Sequence, residues 1–226
     1  NRMSEQSATL RTVTVWDLPT RLFHWTLVIL MIVQWWTAEQ SSTMDWHLWG
    51  GYAVLTLVLF RLIWGFTGSE TARFSHFVRG PGAALDYFKA LLRGETPHYL
   101  GHNPMGAWSI VALLILLLIQ AVTGLFANDD ILTEGPLYDW VSKGTSDWLT
   151  TVHKLNFNLL LAMIAVHLSA VFFYLLVKRD NLIHPMLSGQ KRLPPEQVDP
   201  APRMVSPWLG LAALAVAVVA VWLLVG

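Results

Sequence analysis

Five stretches of the chain are apolar over about 20 residues, the length with which a helix crosses the hydrocarbon core of a bilayer. Each is bounded by polar or charged segments, and no acidic residue lies inside any of them. The pattern predicts an all-α integral membrane protein, with a four-helix transmembrane bundle followed by a fifth, C-terminal transmembrane helix. The predicted spans are residues 22–38, 46–66, 106–127, 150–177 and 207–225.

Polar segments divide these spans into two predicted units. Residues 178–206 are polar and rich in proline, which is typical of a loop that tethers the last helix to the others. We therefore expect a four-helix membrane domain over residues 1–192, and a linker with the additional helix over residues 193–226. Within residues 82–93, apolar residues recur at helical spacing among basic neighbours, namely Leu85, Phe88, Leu91 and Leu92. This predicts an amphipathic helix along the cytoplasmic interface.

Charged residues differ strongly between the two sides of the predicted spans. One side holds Arg2, Arg11, Arg21, Arg61, Arg73, Arg79, Lys89, Arg93, Lys178, Arg179, Lys191, Arg192 and Arg203. The other side holds Lys143 and Lys154 beside Glu39, Asp45, Asp129, Asp130, Glu134, Asp139 and Asp147. Basic residues collect on the cytoplasmic side of membrane proteins. The sequence thus predicts a multi-pass membrane protein, with its N-terminus in the cytoplasm and with its acidic loops and C-terminus on the outer side.

Composition narrows the chemistry that the chain can carry. Hydrophobic residues make up 54% of it and charged residues 13%, with a net charge of zero. A balanced charge gives no basic surface for nucleic acid. The chain has no cysteine, which excludes disulfides, thiolate zinc sites, iron–sulfur clusters and thioether-attached haem. Its 12 tryptophans suit a protein with two membrane interfaces.

Four of the eight histidines lie in the predicted spans, at two depths. His47 and His153 lie at the outer ends of two spans and form the outer pair. His24 lies near the cytoplasmic end of its span, and His167 lies closer to the cytoplasmic side than His153 on the same span; these two form the inner pair. Fourteen residues separate His153 from His167, so the two share a helix face roughly 21 Å apart. Ionisable residues within a bilayer mark functional sites, and facing imidazoles from two helices are what bis-histidine haem b requires. The sequence therefore predicts two haem b groups with these four residues as iron ligands.

Other interpretations of the membrane histidines remain open at this point. A single one can be an interhelical hydrogen-bonding group. A metal-ion transporter would need carboxylates inside the spans and broken helices, and a purely structural anchor would not need four paired histidines. Glycines beside the outer pair (Gly50, Gly51 and Gly124) would leave room for a flat macrocycle or for helix packing. The remaining histidines are predicted to be solvated loop residues, with a headgroup or quinone contact as the alternative for His102; they are His76, His98, His102 and His184.

Several motifs make the sequence resemble the bacterial four-helix dihaem cytochromes b, which include cytochrome b561 and the cytochrome b subunits of nickel–iron hydrogenases. The motifs are VWDLPTRLFHW at residues 15–25, His47-x-x-Gly50, Phe60-Arg61-Leu62-x-Trp64-Gly65, Gly101-His102-Asn103-Pro104, and His153 with His167. The resemblance covers about residues 13–192. It implies His24 with His167 as ligands of a cytoplasmic haem and His47 with His153 as ligands of a periplasmic one, the pairing that topology also predicts. Family members pass electrons between membrane quinones and a partner redox protein. The resemblance also implies a location in the bacterial inner membrane, so that the outer side with the C-terminus is the periplasm.

Further roles follow for charged residues near the predicted haems. Propionate groups need cationic partners, which makes Arg21 and Arg61 candidates at the inner haem and Lys154 a candidate at the outer one. An ordinary interfacial anchor is the alternative for each. Asp17 is expected either to pair with Arg21 or to cap the first helix.

The predicted function is transmembrane electron transfer between the quinone pool (ubiquinone or menaquinone) and a periplasmic redox partner such as a c-type cytochrome. Residues 128–149 carry five acids and one lysine, which fits a docking surface for a basic partner or the usual lack of positive charge outside. The alternative is a haem-bearing membrane anchor subunit of a larger periplasmic oxidoreductase. Assembly into a membrane complex or a homodimer is compatible with both.

Overall fold

The structure is a computed structural model that describes residues 10–38, 41–95, 99–194 and 200–226. Three residues used in the sequence arguments, Arg2, Glu39 and His98, lie outside these ranges. The α-helices are α1 (Leu18–Ala38), α2 (Met44–Thr67), α3 (Phe74–Phe77), α4 (Pro81–Leu92), α5 (Pro104–Leu125), α6 (Lys143–Leu176), α7 (Ile183–Ser188) and α8 (Pro207–Val225). Short 3₁₀ turns occur at Ser41–Thr43, Glu70–Ala72 and Tyr138–Trp140, and two strands are β1 (Arg11–Thr14) and β2 (Gln190–Leu193).

Long helices occupy all five predicted spans. Among the described residues, α2, α5, α6 and α8 are long and apolar enough to cross a membrane. Helix α1 has 21 residues but is not one of these four, because Arg21, His24 and Gln34 lower its apolar character. Whether α1 and α8 both cross the bilayer stays a prediction.

Two of the long helices begin at least four residues earlier than predicted, each behind a polar cap. The Asp17 carboxylate accepts a hydrogen bond from the backbone N–H of Thr20 at 2.8 Å, so α1 begins at Leu18 rather than at residue 22. Ser142 Oγ accepts one from the N–H of Thr145, so α6 begins at Lys143 rather than at residue 150. Helix α6 therefore has 34 residues and is about 51 Å long, well beyond the thickness of a hydrocarbon core of about 30 Å.

The helices pack in an order that follows the chain. Helix α1 packs on α2, α2 on α5, and α5 on α6, while α8 lies against α2 and α1. Trp64 is fully buried in the core that joins α2 to α8, where Ala213 and Ala217 face it from α8. A Cβ at Gly210 would lie 2.7 Å from Pro19 Cγ, so glycine permits this close approach of α8. The division of the chain at residue 192 stays a prediction.

A two-stranded antiparallel sheet corrects the prediction of an all-α chain with a loop over residues 178–206. Strand β1 pairs with β2 in the register Arg11↔Leu193, Thr12↔Arg192, Val13↔Lys191 and Thr14↔Gln190. The backbone N–H groups of Val15 and Trp16 extend this contact by donating to Gly189 O at 2.8 and 3.1 Å. Four-residue strands far apart in the chain leave no local turn signal in the sequence, which is why the pattern missed them.

The segments predicted to be cytoplasmic all lie at one end of the bundle. Thr71 Oγ1 donates to Val15 O at 2.6 Å, and Val205 N donates to Ser69 Oγ at 3.0 Å. The amphipathic helix predicted at residues 82–93 is confirmed as α4, which buries Tyr87 and leaves its apolar residues Leu85, Phe88 and Leu92 exposed. Those exposed side chains suit a helix that rests on a membrane surface.

Candidate functional site

The outer pair of histidines faces across the bundle. His47 comes from the first turn of α2 and His153 from α6, and their ring centroids are 6.3 Å apart with the ring planes at 84°. An imidazole ring centre lies about 3 Å from a metal that its nitrogen binds at about 2 Å, so two imidazoles on opposite sides of one metal have centres about 6 Å apart. The separation observed between the two rings fits that arrangement.

The same hydrogen-bond pattern orients both outer rings. His47 Nδ1 lies 3.2 Å from Gln34 O and 3.4 Å from Thr37 Oγ1. His153 Nδ1 lies 2.9 Å from Gln120 O and 3.2 Å from Thr123 Oγ1. A carbonyl oxygen only accepts, so Nδ1 carries the proton in each ring and Nε2 keeps its lone pair. That tautomer is the one that binds a metal through Nε2.

Sequence reasoning missed the groups that hold these rings. They belong to two Gln-x-x-Thr segments, Gln34–Thr37 near the end of α1 and Gln120–Thr123 near the end of α5. Their signal in the sequence was the presence of an amide inside each apolar span, which is costly without a partner. The Gln120 amide nitrogen also donates to His153 Nε2 at 3.1 Å. Asn156 Nδ2 donates to Gln120 Oε1 at 2.7 Å and so fixes the orientation of this amide. Binding of a metal at that nitrogen therefore requires the Gln120 amide to turn away.

The space beside the neighbouring glycines is occupied by protein side chains. A Cβ at Gly50 would lie 2.4 Å from Gln34 Oε1, and one at Gly124 would lie 3.0 Å from His153 Cε1. Gly124 thus gives clearance to an imidazole ring. Gly50 gives clearance to the Gln34 side chain, rather than directly to a macrocycle.

The inner pair lies near the other end of the bundle. His24 and His167 are close enough to interact electrostatically. The His24 ring packs edge-on against Trp25 at 5.0 Å, and its Nδ1 is buried with no hydrogen-bond partner among the described residues. Among the described residues, the inner rings therefore have none of the carbonyl and hydroxyl contacts that orient the outer rings.

Arg61 lies in a buried polar cluster close to the inner pair. Its side chain is 3% exposed, Nη2 donates to Ala72 O at 3.1 Å, and the guanidinium lies over the Phe74 ring. Its Nη1 has no partner within the described part of the chain. Asp17 also interacts electrostatically with Arg61 and accepts from Trp64 Nε1 at 3.1 Å. Asp17 thus caps α1 as predicted, and the partner of its side chain is Trp64 rather than Arg21.

The other two predicted propionate partners have different surroundings. Arg21 Nη1 donates to Leu187 O at 2.6 Å, while its Nε is buried and unpartnered among the described residues. Lys154 is exposed at the position after His153. The proposed contacts of all three cations with propionates stay predictions.

His102 corrects the expectation of a solvated loop residue. Its ring packs between Trp16 and Phe77, with centroids 4.5 and 5.0 Å away. Burial lowers the pKa of His102 to about 3, and the charge of Arg61 adds to this effect. The sequence did not show this burial because the residues that cover His102 come from two distant segments. His76 and His184 are exposed, as expected.

Comparison with known proteins identifies the family of this chain. A family model described as prokaryotic cytochrome b561 matches residues 15–189, which is most of the chain. The chain belongs to the prokaryotic cytochrome b561 family. It is a multi-pass membrane protein of the cytochrome b type, and membership implies haem b as its cofactor and haem-based electron transfer as its activity.

Curated relatives cover nearly the same length as this cytochrome. A probable Ni/Fe-hydrogenase B-type cytochrome subunit of Azotobacter chroococcum mcd 1 is 25% identical over 221 positions, covering 83% of this chain and 91% of the relative. A protein of the same description from Bradyrhizobium diazoefficiens is 24% identical, covering 80% of this chain and 86% of the relative. No solved structure matches the chain.

The residues of this cytochrome fit haem b. Two imidazoles face each other at the outer layer with Nε2 unprotonated in both rings, and near the inner layer a His24 nitrogen and an Arg61 donor are buried without a partner among the described residues. Within the described ranges, no group of three or more His, Cys, Asp or Glu side chains could hold a metal ion. Two protein ligands for each iron suffice for haem, because the porphyrin supplies the other four.

Proposed function

We propose that this cytochrome transfers single electrons across the bacterial inner membrane through two haem b groups, held by His24 with His167 and by His47 with His153. The electrons pass between the quinone pool (ubiquinone or menaquinone) and a periplasmic redox partner such as a c-type cytochrome. The N-terminus is cytoplasmic and the C-terminus periplasmic. The observation that carries the proposal is the facing of His47 and His153 at 6.3 Å, with the same tautomer fixed in both rings.

Each part of the chain has a separate task in this proposal. Haem b supplies a one-electron change between ferric and ferrous iron. The four histidines hold and orient the two groups, and the apolar helix faces keep water away from them. Arg61 and Arg21 offer propionates at the inner layer buried donors that have no partner in the described part of the chain, and Lys154 offers an exposed charge at the outer layer.

The acidic outer loop supports docking of a basic periplasmic partner. The backbone N–H groups of Thr133, Ile131 and Leu132 hold the pKa of Asp129 well below its usual range, so this carboxylate stays ionised. Lys143 is paired with both Asp130 and Asp147. The charge of the one lysine in residues 128–149 is thereby neutralised, and the remaining charge of this loop is negative. Complementary charge of this kind accelerates encounter with a basic protein.

A second candidate is a haem-bearing anchor subunit of a larger periplasmic oxidoreductase, similar to a hydrogenase. The similarity to two probable Ni/Fe-hydrogenase B-type cytochrome subunits favours this candidate. The two candidates differ in what the isolated chain can do. Electron exchange of the purified cytochrome both with a quinone or quinol analogue and with a basic c-type cytochrome supports the first. Isolation of the chain only in a stable complex with a redox enzyme supports the second.

The haem content of purified protein tests the proposal directly. We expect two haem b groups per chain by the pyridine haemochrome assay. Replacing His47 or His153 by alanine should remove one group, and replacing His24 or His167 should remove the other. His184→Ala is the control, because His184 is exposed, and it should keep both. One haem per chain would refute the transmembrane relay, and none would favour a metal transporter.

A further inference from the structure

The two Gln-x-x-Thr segments form a matched pair of contacts around the outer histidines. In each, the threonine hydroxyl donates to the carbonyl four residues earlier in its own helix: Thr37 to Val33 O at 2.8 Å and Thr123 to Ile119 O at 2.6 Å. With its proton used in this way, the hydroxyl oxygen presents lone pairs to the nearby imidazole. Each Nδ1–H therefore has two acceptors, the glutamine carbonyl and the threonine hydroxyl.

The inner histidines have no such contacts. Buried His24 Nδ1 lacks any partner, and His167 makes no hydrogen bond, within the part of the chain that the structure describes. The two layers thus use the same ligand type in different polar surroundings.

This difference has a direct effect on iron chemistry. A hydrogen bond from the distal ring nitrogen to an acceptor makes the imidazole a more basic ligand. A more basic ligand stabilises ferric iron more than ferrous iron, because it donates more charge to the metal. Second-shell hydrogen bonding is one of the means by which a protein sets a haem potential.

We infer that Thr37 and Thr123, together with the carbonyls of Gln34 and Gln120, are positioning groups that lower the potential of the outer haem below that of the inner haem. The inference rests on the proposed function and adds a direction to it. Electrons run downhill from the outer layer to the inner layer, and so from the periplasmic partner towards the cytoplasmic half of the membrane.

Replacing each threonine by valine tests this inference, because valine keeps the shape and removes the hydroxyl. The Thr56 hydroxyl supplies the matched control: it donates to Tyr52 O at 2.8 Å in its own helix, as the other two do, but it makes no hydrogen bond to a histidine among the described residues. The readouts are the haem content and the midpoint potential of each haem in a redox titration followed by absorbance. The titration of His47→Ala, which lacks the outer haem, shows which wave belongs to which layer.

We expect Thr37→Val and Thr123→Val to keep two haems and to raise only the outer potential. At a fixed ambient potential, the ratio of reduced to oxidised outer haem should rise by roughly two- to tenfold, the factor that corresponds to the loss of one neutral hydrogen bond. Thr56→Val should leave both potentials unchanged. An unchanged outer potential in both variants, or an equal shift in Thr56→Val, would overturn the inference.

A second pair of variants covers the case in which valine prevents loading of the outer haem. Thr37→Ser and Thr123→Ser keep the hydroxyl, so they should keep the wild-type outer potential, and a shift as large as the one expected for valine would overturn the inference. The wild type separates the two proposals. Two haems with the outer potential above the inner one would overturn the inference and leave the proposed function standing, whereas absence of the outer haem would remove both.

Discussion

Gly124→Ala tests the role of the outer histidine pair with a single methyl group. The added Cβ would lie 3.0 Å from Cε1 and 3.4 Å from Nδ1 of His153, closer than an ordinary contact of 3.4–4 Å. The ring must move by about half an ångström, which breaks or weakens the 2.9 Å bond from His153 Nδ1 to Gln120 O. Loss of one neutral hydrogen bond costs about 0.5–1.5 kcal/mol, equivalent to roughly two- to tenfold weaker binding of the outer haem.

The folding of the helix should not suffer from this change. Alanine in place of glycine inside a helix stabilises it by about 1 kcal/mol, so the variant loses haem affinity without losing its fold. Titration of haem into the haem-free protein, followed by the Soret absorbance, measures the affinity of the outer site for haem. Gly144→Ala is the matched control, because nothing lies within 4 Å of a Cβ at that position. Wild-type binding in Gly124→Ala, or equal weakening in Gly144→Ala, would refute the reasoning.

Three further predictions concern the predicted cytoplasmic end, and thermal or chemical unfolding followed by tryptophan fluorescence tests all of them. Asp17→Ala removes the cap of α1 and the acceptor of the buried Trp64 N–H, so it should lower the unfolding free energy by roughly 2–4 kcal/mol. Asp17→Asn keeps one oxygen that can accept from the Thr20 N–H, so an equal loss in that variant would contradict this. Gly65→Ala would place a Cβ in steric overlap with the Phe74 ring and should lower the unfolding free energy by about 1–3 kcal/mol. An unchanged Tm would contradict this packing of Phe74 on α2. His102 is neutral when folded and binds a proton near pH 6.5 when unfolded, so stability should fall as the pH drops from 6.5 towards 3, by about 2 kcal/mol at pH 5. His102→Gln should reduce that dependence by about this amount, and an unchanged dependence in the variant would exclude His102 as a cause.

Most of the helical architecture was predictable, because each long helix carries its signal in a continuous run of apolar residues. The depth of the four histidines was predictable for the same reason, since span boundaries and helical rise set it. The caps moved two helix starts by four and seven residues, because Asp17 and Ser142 act on groups that periodicity does not report.

Features that depend on neighbours distant in sequence could not be predicted in this way. The acceptors of His153 lie on α5, 30 and 33 residues earlier in the chain, and only the packing of α5 on α6 brings them together. The burial of His102 by Trp16 has the same origin. The β1–β2 pairing joins segments separated by the whole four-helix unit. Sequence patterns report local periodicity, whereas these contacts are properties of the assembled bundle.

The small sheet also sets the order of events during biosynthesis. Strand β1 leaves the ribosome before any of the long helices, but its partner Gln190–Leu193 follows α6, so β1 must wait for nearly the whole chain. A nascent chain that ends before Gln190 already contains α1, α2, α5 and α6, but it lacks strand β2, with which β1 pairs. Closure of the bundle at this end therefore comes after synthesis of the last helix of the four-helix unit.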